Sequence, residues 1–130
     1  MIIGIGSDIV DIKRIEKSIN KFGQKFINKC FVEIEIDNSK NTINNYASYA
    51  KRFAAKEACA KALGTGLKKG VNLKNIIIKN DKNGKPLIEL KGHALKRLKK
   101  IIPKNKKPAL NLTISDENNL AHAMVIISSY

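Results

Sequence analysis

The sequence predicts an α+β fold in which a largely antiparallel sheet packs against one long, alanine-rich helix. Three observations point to it. Residues 46–63 are alanine-rich and run without interruption to Gly64, a helix stop. Ile76-Ile77-Ile78 and Leu87-Ile88-Glu89-Leu90 flank Asp81-Lys82-Asn83-Gly84, the pattern of a β-hairpin with Asn-Gly in its turn. Finally, the elements follow one another as strand, helix, helix, hairpin, helix, hairpin, an order that favours antiparallel pairing.

Taken in chain order, residues 1–9 mix β-branched side chains with glycine and read as a strand running into a tight turn at Gly4-Ile5-Gly6-Ser7-Asp8. Asp11 is placed to cap the next helix. Ile12, Ile15, Ile19, Phe22 and Phe26 keep the three-and-four spacing of one amphipathic helix. Lys13, Arg14, Lys21 and Lys25 fall on its outer side. Residues 37–45 are polar and read as a loop. After the long helix, Gly64-Thr65-Gly66 and Gly70 give a flexible connection to the hairpin. A short basic helix over 93–101 is ended by Pro103, and residues 110–115 and 121–128 form two final strands. With no repeat and no linker, residues 1–130 read as a single domain.

Composition narrows the function classes. No apolar run approaches the roughly 18 residues needed to span a bilayer. The N-terminus lacks the basic start and small-residue cleavage site of a signal peptide, so a cytoplasmic protein without membrane association is expected. Cys30 and Cys59 are too few for a disulfide framework and lack metal-ligand spacing; buried free thiols are expected. The net charge of +14 implies a polyanionic partner: nucleic acid, a phosphate-rich ligand or an acidic protein. A small basic RNA-binding protein is the main alternative. Against it, the charge is mostly lysine, and Tyr46, Tyr49 and Phe53 share one helical stripe that reads as core rather than as a stacking platform. Nucleic acid is therefore not the expected partner.

The candidate chemistry lies in two carboxylates and a lysine. Asp8 ends an apolar strand beside two glycines, where an Asx-turn is the plain alternative. Glu57 sits among Ala54, Ala55 and Ala58, whose small side chains imply close packing. Glu57 and Lys61 are four apart on one helix face, a spacing that also suits an ordinary surface ion pair. Mg²⁺ takes one or two carboxylates and completes its octahedron with phosphate oxygens and water. Asp8 and Glu57 can supply those carboxylates if the strand end meets the middle of the helix. Lys61, one turn on, would then stabilise charge on a phosphate. Gly4-Ile5-Gly6 lacks the third glycine of a dinucleotide fold and the lysine of a P-loop. His93 and His122 lack a nucleophile or an orienting partner at a diagnostic spacing.

Ile3-Gly4-Ile5-Gly6-Ser7-Asp8-Ile9-Val10-Asp11 with Arg14-Ile15 resembles the N-terminal signature of the holo-[acyl-carrier-protein] synthases, the small trimeric type of 4′-phosphopantetheinyl transferase. Arg52-Phe53-Ala54-Ala55-Lys56-Glu57-Ala58, continued by Lys61-Ala62-Leu63-Gly64-Thr65-Gly66, resembles the family's second motif, and Asn83-Gly84-Lys85-Pro86 its third. The resemblance implies an Mg²⁺-dependent enzyme that moves 4′-phosphopantetheine from coenzyme A to a serine of acyl carrier protein, for fatty acid biosynthesis. It implies that Asp8 and Glu57 hold Mg²⁺ and that Lys61 contacts the phosphate under attack, with Glu57 the candidate base. Arg52, Gly64, Thr65 and Gly66 would lie along coenzyme A, and Asn83, Gly84, Lys85 and Pro86 near its nucleotide end. Lys13, Arg14, Lys21 and Lys25 would dock the acidic carrier, and the chain would form a homotrimer with sites between subunits. One stretch departs from the pattern. The family usually reads serine, apolar, serine, histidine where this chain has Thr113-Ile114-Ser115-Asp116. An acid beside nucleotide phosphates repels them, so Asp116 is not expected among the binding residues.

Overall fold

The computed structural model describes residues 1–130. It contains β1 (Ile2–Asp11), α1 (Ile12–Phe22), α2 (Gln24–Cys30), α3 (Glu33–Lys40), α4 (Asn45–Ala62), a 3₁₀ turn (Leu73–Asn75), β2 (Ile76–Asn80), β3 (Pro86–Leu90), α5 (Gly92–Ile101), β4 (Pro108–Glu117) and β5 (Leu120–Ser129). The fold is α+β and every strand pairing is antiparallel, but the strands divide into two sheets rather than one. β5 lies between β1 and β4, and β2 pairs with β3 alone.

α4 is the centre of the molecule. Ala50, Ala54, Ala55 and Ala58 are wholly buried, as is Cys59, so nearly every face of the helix meets another element. The three-stranded sheet covers one side with Ala121, Ala123, Val125 and Ile127 from β5. Alanine at these helix positions allows close approach of the sheet while keeping helix propensity high. The reverse face of that sheet is uncovered. There Ile5 and Ile9, each 61% exposed, stand across from the half-buried Ile126 and His122. No helix is long and apolar enough to cross a membrane.

Three sequence expectations need correcting. Residues 4–8 are not a turn, because β1 runs unbroken to Asp11. The glycines there serve proximity to α4: a Cβ on Gly6 would come within 2.6 Å of the Ala62 amide nitrogen and nearer still to the Ala58 carbonyl oxygen. The expected first helix is two helices, divided at Gly23, whose φ of 59° and ψ of −135° lie outside the helical region. Lys25 consequently stands on α2, apart from the stripe of Lys13, Arg14 and Lys21 on α1. Finally, residues 37–40 belong to α3 rather than to a loop. Asp11 does cap α1, accepting from the Lys13 amide at 2.9 Å.

Candidate active site

The glycine crossing positions the chemistry. Because Gly4 and Gly6 let β1 lie directly on the last turns of α4, Asp8 emerges beside Lys61. The Lys61 ammonium donates to the Asp8 Oδ1 and to the Ser7 carbonyl, both at 3.0 Å. Glu57, one turn back on α4, joins them: its carboxyl is pushed up by burial and then by the Asp8 carboxylate, with Lys61 and Arg14 partly offsetting the shift. Asp8, Glu57 and Lys61 thus come together as expected, and Arg14 of α1 faces the same cluster. Two carboxylates that influence one another here are a donor set that suits a divalent cation, with Lys61 and Arg14 balancing their charge. No group of three or more His, Cys, Asp or Glu forms a cage, so a cation here would need phosphate oxygens and water to complete its shell. Asp8 and Glu57 are half-buried and Lys61 is exposed, and none of the five main cavities is lined by these three residues.

The residue before Glu57 points the other way. Lys56 is fully buried and donates to Glu35 Oε1 at 2.7 Å and to the Leu73 and Ile76 carbonyls at 2.8 and 2.6 Å. Glu35, also fully buried, further accepts from the Val32 and Ile78 amides at 3.0 Å each. Burial draws the Lys56 ammonium below its ordinary value, and Glu35 restores part of it. This pair ties α3, α4, the 3₁₀ turn and β2 together. It went unnoticed in the sequence because a charged residue at a core position leaves no apolar signal.

Arg52 opens a second region one and a half turns towards the helix start. It lines a cleft of about 310 Å³ with Ser48, Lys51, Asn80, Gly84, Pro86 and Asp116 among its walls. Its Nη1 donates to Ser48 Oγ at 2.6 Å and its Nη2 to Asn80 Oδ1 at 3.1 Å. The Nε is buried without a partner, and no carboxylate pairs with the guanidinium. Arg52 thus meets Gly84 and Pro86 rather than the Gly64-Thr65-Gly66 turn with which the sequence grouped it. Asn83 and Lys85 do not line the cleft; their amides donate to Asp81 Oδ1 at 2.8 and 2.9 Å and shape the turn. Asp116, not expected among the binding residues, also lines the cleft, with its carboxylate 3.7 Å from the Lys51 ammonium.

The Gly64-Thr65-Gly66 turn lies past the end of α4, away from Arg52. Gly64 and Gly66 take φ of 80° and 57°, which glycine alone adopts at little cost. The Gly66 amide donates to Ala60 O at 3.0 Å, and Arg97 Nε donates to Leu63 O at 2.9 Å, so each of these two carbonyls has a partner. Thr65 borders a separate basic hollow with Lys69, His93, Lys96, Arg97 and Lys100. Lys13, Arg14, Lys21 and Lys25 are all exposed. His122 lies on the uncovered sheet face, apart from the carboxylate cluster.

This architecture has close counterparts. Residues 4–123 match the model of the 4′-phosphopantetheinyl transferase superfamily. The chain belongs to that superfamily. Among curated relatives, the holo-[acyl-carrier-protein] synthase of Rhizobium meliloti (strain 1021) is 54% identical over 99% of this chain and 93% of its own. That of Caulobacter vibrioides is 50% identical over 99% and 97%. A crystal structure of the Neisseria meningitidis holo-[acyl-carrier-protein] synthase superposes with a TM-score of 0.85 at 40% identity, covering 98% of this chain and 99% of that one. The Helicobacter pylori enzyme in complex with coenzyme A superposes with a TM-score of 0.81 at 35% identity, covering 95% and 99%. The two-sheet arrangement around α4 is thus the phosphopantetheinyl transferase fold.

Proposed function

We propose that this transferase moves 4′-phosphopantetheine from coenzyme A to a serine of apo acyl carrier protein, releasing adenosine 3′,5′-bisphosphate, in the service of fatty acid biosynthesis. The observation that carries the reading is the meeting of Asp8, Glu57 and Lys61 where β1 crosses α4. In this reading Asp8 and Glu57 hold Mg²⁺, which when bound offsets the charge of the pyrophosphate. Lys61, already donating to Asp8, turns a proton toward the phosphate under attack and stabilises its charge. Glu57, with its carboxyl raised by burial, accepts the serine hydroxyl proton. The serine oxygen forms the new phosphorus–oxygen bond as the bond to the adenosine bisphosphate breaks.

The nucleotide end of coenzyme A lies at the cleft of Arg52, Gly84 and Pro86, with Asn83 and Lys85 shaping the turn that borders it. Gly64, Thr65 and Gly66 border the pantetheine end. Lys13, Arg14 and Lys21 on α1, with Lys25 on α2, dock the acidic carrier, and the influence of Arg14 on Glu57 links that surface to the reacting groups. A homotrimer completes each site. The uncovered sheet face bearing Ile5 and Ile9 supports a neighbouring copy packing there. We place the reaction in the cytoplasm, in keeping with two free cysteines.

The test is the intact mass of apo acyl carrier protein after incubation with this protein, coenzyme A and Mg²⁺. A gain of one phosphopantetheine is expected, abolished by EDTA and by Asp8→Ala. Unchanged mass from several apo carriers would refute the reading; persistence of transfer in EDTA would refute the metal.

A further inference from the structure

The basic hollow beyond α4 gathers charge that nothing in the protein offsets. His93, Lys96, Arg97 and Lys100 stand three, four and seven positions apart on α5, which puts all four on one helix face. α5 contains no Asp or Glu, and no ion pair of the molecule involves these residues or Lys69, which faces them. Like charges at this spacing repel one another and weaken a helix. An anion seated among them removes that repulsion.

The hollow is built rather than incidental. Its far wall is the connection after α4, where Lys69 and Gly70 take φ of 55° and 83°, the first uncommon for any residue but glycine. Gly70 lies so close to the His93 ring that a Cβ there would come 2.9 Å from its Cγ. Arg97 is held in place by its Nε, which donates to the Leu63 carbonyl at 2.9 Å and leaves Nη1 and Nη2 free to donate elsewhere. Thr65 adds a hydroxyl, and Val71 is the one apolar residue of the lining. We infer that this hollow, of about 210 Å³, is a binding site for a compact, multiply charged phosphate, separate from the cluster of Asp8, Glu57 and Lys61. Three lysines and an anchored guanidinium match several phosphate oxygens better than a single carboxylate. Nucleic acid fits poorly, because the hollow offers no ring for base stacking except that of His93, which rests on Gly70.

The experiment titrates sodium pyrophosphate, in EDTA at low ionic strength, into the ¹⁵N-labelled protein and follows the amide resonances by nuclear magnetic resonance. Those of Thr65, Lys69, Gly70 and His93 should shift together and saturate. Lys96→Ala/Lys100→Ala should weaken that binding about ten-fold, as two charge-assisted contacts are lost. Lys99→Ala/Lys104→Ala removes the same charge from side chains outside the hollow and should change it about two-fold or less. Pyrophosphate should also raise the melting temperature of the wild type more than that of Lys96→Ala/Lys100→Ala. Arg97 is left in place because it serves the Leu63 carbonyl. Vesicles containing phosphatidic acid separate the two sources of such a phosphate: co-sedimentation that needs Lys96 and Lys100 would assign it to a lipid headgroup, and its absence to a soluble ligand, with the site upheld in both cases. Equal weakening in the two double variants, shifts confined to the Arg52 cleft, or displacement of pyrophosphate from the hollow by coenzyme A would overturn the inference. None of these readouts uses transfer to a carrier, so the proposed reaction stands or falls separately.

Discussion

Replacing Gly6 by alanine adds one methyl where β1 lies on α4. Its carbon would come within 2.6 Å of the Ala62 amide nitrogen, against backbone that cannot swing aside as a side chain could. Restoring ordinary contact requires strand and helix to part by roughly 1 Å, and overpacking of this kind costs about 1–3 kcal/mol. For a chain of this length that lowers the melting temperature by about 4–15 °C. The chemistry suffers separately. Asp8 lies two residues further along the same strand and meets Lys61 at 3.0 Å, so it moves with the strand; misplacement by 1 Å costs on the order of 100-fold in rate. Gly6→Ala should therefore be folded at 20 °C by circular dichroism, melt several degrees early, and transfer phosphopantetheine far more slowly than its remaining folded fraction allows. Wild-type melting and wild-type kcat together would refute the account of β1 as a strand thinned to fit the helix.

Three other outcomes follow from the charges and thiols. Lys56→Met strands Glu35 in the core and should cost about 3–5 kcal/mol in urea unfolding, with only part recovered in Glu35→Leu/Lys56→Met because the Val32 and Ile78 amides and the Leu73 and Ile76 carbonyls lose their partners; a small single-variant loss would show that the pair is dispensable. Glu57 has a folded-state carboxyl pKa raised above its ordinary 4.5, so the stability linked to its protonation is complete below that value and is lost as pH rises through the folded pKa. Glu57→Gln, melted in EDTA, should accordingly exceed the wild type in stability at neutral pH and converge with it in acid, while transfer is lost; a variant less stable at neutral pH would contradict the sign. Cys59, pushed up to about 12 by burial, and Cys30, also raised, should not react with a disulfide reagent at pH 8 until urea unfolds the chain, when two thiols appear. Reaction of either thiol in the native protein would count against their burial.

Much of the architecture was legible because apolar period and stop residues coincide. The run from Asn45 to Ala62 ends one residue before Leu63 and two before Gly64, and the β2–β3 hairpin closes on its Asn-Gly turn. The failures have physical causes. Glycine serves both turns and tight contacts, and only the three-dimensional neighbour tells which; at Gly4 and Gly6 it is α4. Apolar spacing carried straight through Gly23 because Phe26 stays in phase across the break. α3 escaped notice since two of the side chains it buries, Glu35 and Ser39, are polar, so no hydrophobic stripe announces it. The cluster of Asp8, Glu57 and Lys61 could be suggested by residue type, whereas its assembly depends on the strand crossing. The burial of Arg52 and the approach of Asp116 to Lys51 involve residues far apart in sequence and left no local trace.

Lys56 and Glu57 occupy successive positions on α4, one locking the core and the next serving the surface chemistry. Between Arg52 and Ala62 the helix therefore has no face free to drift, and the glycines opposite it are equally fixed. An inhibitor that makes its contacts with this helix and with the Gly4–Asp8 segment would press on atoms the protein cannot change without unfolding or losing its reaction. One that leaned on Lys51 and Asp116 would leave an escape, since those two side chains can be exchanged while the fold and the reacting groups stand.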